Sequence, residues 1–367
     1  MAREAMNTHD EVPVLRSAIV GCGPRGIEHA HAIAATPMLE LSGAVDTQET
    51  ACRQFRSSVG CDVLFSSIDD MLASLRPDFV HVATGPRDRW SVIERLVAAE
   101  PRPMAVLVEK PFALSPGEAQ RVEDACRRAS IALYVNHQMR FHQLMPRIRS
   151  RLDAGELGEI VLVRASTRYN LLEQGTHLFD LVSAMLSDRV RLEAVFAQAG
   201  GRDDRERIAP GPAYAAGVAT TDAGWRLYFE CGPNAIAWPR RDDAPGESND
   251  DPSSHLGIEV VCRGGVLGFS LNLGSWMSTL NGTTVDEVVY GSAEYEAAEV
   301  RLLESLAHAV VEGSDHESGI ERARWSFNAV MATQRSALYR RWTRVGELPT
   351  DAEIEAVRNL GHERKSP

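Results

Sequence analysis

The amino-acid sequence predicts an α/β fold, an N-terminal doubly wound parallel sheet of the Rossmann type. An α+β unit follows, built on an open, mostly antiparallel sheet with helices on one face. Three observations carry this. Strand and helix patterns alternate from Val14 to Val135, which means βαβ units and a parallel sheet. Strand patterns then follow one another from Leu192 to Tyr290 without crossover helices, which favours antiparallel pairing. A glycine-rich turn, Gly21-Cys22-Gly23-Pro24-Arg25-Gly26, joins the first strand to the first helix. With 367 residues, the chain is long enough for two full cores.

In order, Val14–Val20 reads as a strand, Gly26–Ala35 as a helix and Leu39–Asp46 as a second strand. Thr50–Val59 is helical and Val63–Phe65 a short third strand; Ile68–Leu75 is a helix stopped before Pro77, because a residue preceding proline is steered out of the α region. Phe79–Ala83, Ala105–Glu109 and Ile131–Val135 are strands, with a helix at Arg89–Ala99 between the first two. Ser115, with Pro116 next and Glu118 three residues on, is a capping-box start for a helix to about Ala129. In the second half Ile160–Arg168 is a strand and His177–Leu186 a helix; Leu192–Ala199, Tyr214–Thr220, Trp225–Glu230, Ile258–Cys262, Val266–Leu271 and Val285–Tyr290 are strands. Two amphipathic helices close the chain, with stripes at Leu302, Leu303, Leu306, Ala307 and Val310 and at Phe327, Val330, Met331 and Leu338. The expected organisation is a disordered tail at 1–12, a dinucleotide-binding domain at 13–140, a substrate and oligomerisation domain at 141–345 and a C-terminal tail at 346–367. The polar, acidic stretch Pro239–His255 is either a disordered surface loop or a lid, and its lack of aromatic and β-branched residues favours disorder.

Composition narrows the classes. A net charge of −12 argues against a nucleic-acid or anionic-membrane surface, which needs a basic patch. No apolar run approaches a membrane span, and Met1–Asp10 carries no apolar stretch of a secretory signal, so the expected location is the cytoplasm. Six scattered cysteines without a CxxC pair read as buried thiols rather than a zinc or disulfide framework.

The GxGxxG at Gly21–Gly26 has the context that makes it informative, a strand before and a helix after. Gly21 makes the tight turn, Gly23 lets backbone approach a pyrophosphate, and Gly26 lets helix and strand pack closely. The helix that opens at Gly26, just after Pro24 and Arg25, turns its N–H groups and positive dipole end toward the phosphates. Asp46 ends the second strand, where an acid accepts hydrogen bonds from the ribose hydroxyls and repels a 2′-phosphate. The expected cofactor is therefore NAD. NADP stays open, since Arg25 or Arg53 could pair with a 2′-phosphate.

Three further stretches stand out: Val108-Glu109-Lys110-Pro111, Asn136-His137-Gln138-Met139-Arg140-Phe141, and Glu173-Gln174-Gly175-Thr176-His177-Leu178-Phe179-Asp180. Together with the GxGxxG, their order and spacing resemble the glucose–fructose oxidoreductase, inositol 2-dehydrogenase and MocA (Gfo/Idh/MocA) family over about residues 13–345. The resemblance implies a nicotinamide-dependent oxidoreductase of sugars, cyclitols and related polyols. It makes Lys110 the catalytic lysine and His177 the catalytic histidine. The acid four residues before the histidine is Glu173 where the family usually has aspartate. It also implies that Glu109 and Lys110 lie beside the cofactor, that Asn136 and Arg140 lie near the substrate, and that the second sheet serves as an oligomer interface, for a dimer or tetramer. Pro111 is a candidate for a cis bond.

The residue chemistry agrees. Histidine titrates near neutrality and suits proton transfer. A cationic Lys110 would stabilise developing alkoxide, and a buried, deprotonated one would relay the proton. If all three lie on a helix, Glu173, His177 and Asp180 share one face. Glu173 and His177 also have metal-ligand spacing, but no HExxH and no third ligand accompany them, so no metal is expected. His29 and His31 are given no function. The sequence departs from the family after the fourth strand, where Ala83-Thr84-Gly85-Pro86-Arg87-Asp88-Arg89 replaces Ala-Thr-Pro-Asn-x-x-His. Thr84 still suits the nicotinamide pocket, and Arg87 or Arg89 is available to an anionic substrate. Trp276, Met277 and Asn281 are candidates for the pocket wall. The reading is an NAD(P)-dependent dehydrogenase or reductase. Its rivals are an enzyme that keeps NAD bound through a redox-neutral elimination, hydrolysis or epimerisation, and a non-catalytic dinucleotide-binding regulator.

Overall fold

The structure is a computed structural model and describes residues 13–202, 211–236, 255–270, 274–279, 284–288 and 294–360. The expected tail at 1–12, residues 239–254 of the acidic stretch, and Asn281 lie outside them.

The first half runs β1 (Leu15–Val20), α1 (Pro24–Ala34), β2 (Leu39–Val45), α2 (Glu49–Val59), β3 (Leu64–Phe65), α3 (Ile68–Leu75), β4 (Phe79–Val82), α4 (Arg89–Ala98), β5 (Ala105–Glu109), α5 (Pro116–Arg128) and β6 (Ala132–Asn136). The sheet is parallel throughout, in the order β3-β2-β1-β4-β5-β6. This is the dinucleotide-binding order, whose strand direction of progression reverses between β1 and β4. The predicted cap at Ser115 is present, accepting from the Glu118 backbone N–H, and Ser67 caps α3 in the same way, accepting from the Asp70 N–H.

β4 and β5 are buried along their whole length, because helices cover both faces. Alternate side chains divide between two cores. Val80, Val82, Val106 and Val108 join Val92 and Val122 on one side. Phe79, Ala105 and Leu107 join Ile33 and Phe55 on the other.

The second half runs α6 (Met145–Asp153), β7 (Ile160–Thr167), α7 (Gly175–Met185), β8 (Leu192–Arg202), β9 (Pro212–Thr221), β10 (Arg226–Cys231), β11 (Leu256–Cys262), β12 (Gly265–Ser270), β13 (Gly274–Thr279), β14 (Thr284–Val288), α8 (Glu294–Glu312), α9 (Ile320–Tyr339), β15 (Thr343–Arg344) and α10 (Asp351–Arg358). The nine strands form one sheet, β14-β13-β12-β11-β7-β10-β9-β8-β15, antiparallel except for β7 against β10. Helices α7 and α9 pack against this sheet.

Three features depart from expectation. Helix α8 belongs to the core of the first sheet: Leu302, Leu303 and Leu306 are buried with Ile19, Ile33 and Leu107. The chain thus returns after the second sheet to cover the α1 side of the first. Residues 346–360, expected as tail, contain α10, held by a capping box at Thr350 and Glu353 and burying Ile354 and Val357. α6, β13 and β15 were not predicted at all.

Candidate active site

The glycine turn sits at the carboxyl ends of β1 and β4, where open α/β sheets bind ligands. Gly21 has φ +103°, and a Cβ there would meet Ala83 and Thr84 at 3.1 Å. A Cβ on Gly26 would lie 2.0 Å from the Gly21 carbonyl oxygen, so only glycine permits this approach. A Cβ on Gly23 would meet nothing within 4 Å. That open space lies at the N-terminus of α1, whose first-turn N–H groups have no intrahelical acceptor and where Pro24 loses no bond. Asp46 follows β2; its Oδ2 accepts from Cys22 N–H and its Oδ1 from Gln48 N–H, both at 2.8 Å. Each oxygen retains a lone pair for a ribose hydroxyl. Thr84 Oγ1 is buried without a partner beside the turn. These residues fit a dinucleotide running from Asp46 across Gly23 toward Thr84.

This geometry separates two glycine variants. Gly23→Val should leave the fold intact and weaken dinucleotide binding at least about tenfold, about 1.4 kcal/mol. Gly26→Ala should instead cost stability too, about 1–3 kcal/mol for overpacking. Dinucleotide titration and urea unfolding of both variants check this; equal stability losses would be the contrary result.

Arg25 turns away from the ribose end. Its Nη2 lies 2.7 Å from Glu109 Oε1 and 3.3 Å from Glu299 Oε2, and it also pairs with Glu28. Arg53 is exposed and pairs with Glu49. Neither guanidinium is therefore poised for a 2′-phosphate.

Glu109 is the hub of a buried cluster that joins α1, β4, β5, β6 and α8. Its Oε1 accepts from Arg25, from Asn136 Nδ2 (2.8 Å) and from His29 Nε2 (3.0 Å). His29 Nδ1 lies 3.1 Å from His81 Nδ1. Burial alone would raise the Glu109 carboxyl, but Arg25 and His29 outweigh it and hold it well below the usual carboxylate range. His29, given no role from sequence, is thus a fully buried member of the cluster. His29, Glu109 and Glu299 place ligand atoms within 4.8 Å of one another. Arg25 and Asn136 already occupy both carboxylates, so the arrangement is a compensated ion-pair cluster. The Asn136 amide is spent there, while its Oδ1 has no partner.

Lys110 follows β5, and the Lys110–Pro111 peptide is cis. Lys110 Nζ donates to the backbone carbonyl of Glu173 at 2.8 Å. Burial lowers its pKa, Glu109 and Glu173 oppose, Arg25 reinforces, and the result is about 8. Glu173 lies in the turn before α7, whose N-cap is Gln174. The shared helical face expected for Glu173 and His177 is therefore absent, and it is the Glu173 carbonyl that meets Lys110. His177 and Asp180 do lie on α7, both buried. Burial, then Lys110 and His137, push His177 well below the usual imidazole range, and its Nδ1 has no partner. The His137 and His177 rings meet edge to face at 5.4 Å.

Asp180 braces this arrangement. Its Oδ1 accepts from Arg140 Nε at 2.9 Å and lies 3.5 Å from His137 Nδ1. Arg140 also binds Asp188 at 2.8 and 3.0 Å. Arg140 is thus committed to protein carboxylates rather than to a ligand. Arg89 is fully buried on backbone carbonyls and is not available to an anionic substrate; Arg87 is exposed. Met277 is buried in the apolar core.

One signal went unread in the sequence. The chain has 37 arginines but only two lysines, Lys110 and Lys365. Arginine cannot give up its proton in a protein and lysine can, so Lys110 is the one lysine amine among the described residues that can titrate.

Comparisons with known proteins agree with the fold and the turn. Residues 15–137 match the Gfo/Idh/MocA family model, described as an oxidoreductase family with an NAD-binding Rossmann fold. The chain is 24% identical over 219 residues to D-apiose dehydrogenase of Paraburkholderia graminis, covering 55% of this chain and 58% of that protein. It is 27% identical over 157 residues to inositol 2-dehydrogenase of Rhizobium meliloti, covering 42% and 45%. The chain thus spans about half the length of the curated relatives it matches. An Agrobacterium radiobacter oxidoreductase solved with NAD+, L-tartaric acid and magnesium superimposes with TM-score 0.74 at 17% identity, over 90% of this chain and 98% of that one. GenD2 from gentamicin A biosynthesis, solved with NAD, gives 0.73 at 20% identity, over 91% and 97%. The glycine turn, the strand order and these matches together identify residues 15–137 as an NAD-binding Rossmann domain that matches the Gfo/Idh/MocA oxidoreductase family model.

Proposed function

We propose that the chain is an NAD-dependent dehydrogenase or reductase acting on a CH–OH group of a sugar, cyclitol or sugar derivative. Lys110 and His177 handle the hydroxyl proton. The observation that carries this is that Lys110, just past the carboxyl end of β5, donates to the Glu173 carbonyl at 2.8 Å in the turn before α7, the helix that carries buried His177. D-Apiose and inositol dehydrogenases among its relatives support the substrate class.

When bound, the dinucleotide supplies the two-electron redox partner; Gly21, Gly23, Gly26, Asp46 and Thr84 would hold it. The chain's own residues manage the proton. Oxidation of a carbinol requires loss of the hydroxyl proton as the carbon–hydrogen bond breaks. Unprotonated Lys110, anchored by the Glu173 carbonyl, accepts it, and a pKa near the working pH suits the transfer. Neutral His177 offers Nδ1 to the same hydroxyl and fixes its direction. In reduction the ammonium of Lys110 returns the proton.

The test is NADH absorbance against a panel of polyols, aldoses and cyclitols. In the oxidative direction kcat/KM should rise with pH through about 8 and then level off, as Lys110 loses its proton. The groups facing Lys110 are Glu109, Arg25, Glu173, His177 and His137. A break confined to pH below 6.5 would move the base to a histidine. NAD retained through purification with product but no net NADH would favour the redox-neutral cycle instead.

Assembly is part of the proposal. Tyr214 and Tyr228 are exposed on strands β9 and β10 of the second sheet, and we read that face as the contact of a dimer or tetramer. Sedimentation at micromolar concentration would show a single monomer species if this is wrong. Among the described residues no helix is long and apolar enough to cross a membrane.

A further inference from the structure

Among the described residues Arg89 is the largest fully buried side chain, and none of the proton chemistry above uses it. It begins α4, just past the stretch where the sequence leaves the family pattern. Its guanidinium turns inward and binds three backbone carbonyls: Nη2 donates to Thr84 at 2.7 Å, and Nη1 donates to Pro111 at 2.9 Å and to Glu109. No carboxylate forms an ion pair with it among the described residues. Burial pulls its pKa down to about 10, with Glu109, Glu118 and Asp88 opposing from a distance.

A buried cation on neutral acceptors is costly, so its location matters. The three carbonyls belong to the loop after β4 and to the end of β5 with the turn that follows it. Thr84 follows β4 and lies against the glycine turn. Glu109 and Pro111 are the immediate neighbours of Lys110. A planar guanidinium with five N–H donors can bridge the two segments in one fixed geometry.

We propose that Arg89 is a positioning residue: by clamping the carbonyls of Thr84, Glu109 and Pro111, it ties the loop after β4 to the turn that aims Lys110 at the site. The inference rests on the dehydrogenase reading for its catalytic meaning, but the clamp itself can be measured without turnover. Glu109, Arg25 and Glu173 are the charges with the largest effect on the Lys110 amine, and Arg89 acts on it chiefly through the backbone it holds. A released Lys110 loses the Glu173 carbonyl, moves toward water and titrates closer to an ordinary lysine, about 10.4.

The two-lysine composition makes this measurable. In a Lys365→Arg background Lys110 is the sole lysine amine. Competitive acetylation against pH, read by peptide mass, reports its titration in the folded, full-length chain. The parent should show a midpoint near 8. Arg89→Ala should raise it by at least about one pH unit. Sub-denaturing guanidinium chloride should bring it part of the way back, which loss of packing alone would not allow. Arg89→Gln keeps volume and two N–H donors, and should fall between the two. If turnover is found, kcat should drop about tenfold or more in Arg89→Ala, while NAD affinity changes less. An unmoved midpoint in either folded variant overturns the assignment. So does failure of both variants to fold, which makes Arg89 a residue of the fold alone. Absence of turnover in the parent refutes the dehydrogenase reading and leaves the acetylation result to decide on the clamp.

Discussion

Lys110→Arg should lower turnover by about a thousandfold or more, with dinucleotide affinity nearly unchanged. The substitution keeps a cation at the end of β5, so it isolates one property, the ability to lose a proton near pH 8. Lys110→Ala should fall as far, since it removes both the charge and the acceptor. Loss of kcat with KM little changed would place the interaction in the transition state rather than in ground-state binding. Steady-state kinetics on the best substrate of the panel, with NAD binding followed by fluorescence, make the measurement. Turnover within tenfold of the parent in Lys110→Arg would remove Lys110 from proton transfer and leave it an electrostatic role. His177→Ala belongs beside it: binding should persist and most turnover should vanish.

Arg140→Leu should cost stability rather than chemistry, about 3–5 kcal/mol. Asp180 and Arg140 are each 1% exposed at the side chain. Without the guanidinium, Asp180 keeps only His137 Nδ1 at 3.5 Å, and Asp188 loses both its bonds to Arg140. A buried, uncompensated carboxylate is relieved by taking up a proton, so the variant should recover relative stability in acid. The parent behaves in the opposite sense. Burial would raise Asp188, but Arg140 and Ser183 hold it well below the usual carboxylate range. A depressed carboxylate contributes stability that is complete above its unfolded value, about 3.9, and is lost as pH falls through the folded value. The gap between parent and variant is therefore widest above about pH 5 and narrows below it. Urea unfolding at pH 7 and pH 4.5 measures this. A variant within about 1 kcal/mol of the parent at pH 7 would show that the cluster contributes little, as exposed pairs do.

These two predictions fall on residues whose legibility in the sequence differs. Lys110 and His177 were readable because their motifs stand at predictable places, after a strand and at the opening of a helix. Arg140 was read as lying near the substrate and Asp180 as sharing a helical face with His177. The structure spends both in one ion cluster, because only the fold brings α7 beside the turn after β6. Glu173 shows the limit of periodicity. A spacing of four suggested a shared helical face with His177, but α7 begins at Gly175, so the backbone carbonyl rather than the carboxylate meets Lys110.

By itself the sequence determined the parallel sheet, the glycine turn and its helix, Asp46 just past β2, and the places of Lys110 after a strand and His177 at the opening of a helix. All are set by local period, by turn chemistry or by a short motif, which act within a few residues. The tertiary structure alone decided that α8 completes the first core, that Arg25 and His29 converge on Glu109, and that Arg89 clamps the loops after β4 and β5. It also decided that Arg25 is no partner for a 2′-phosphate. Apart from the Arg89–Thr84 bond, the hydrogen bonds involved join residues about 20 to 274 positions apart. Burial and exclusion of water, not sequence spacing, choose the partner there. A buried charge takes whatever donor or acceptor the packing of distant elements leaves within reach.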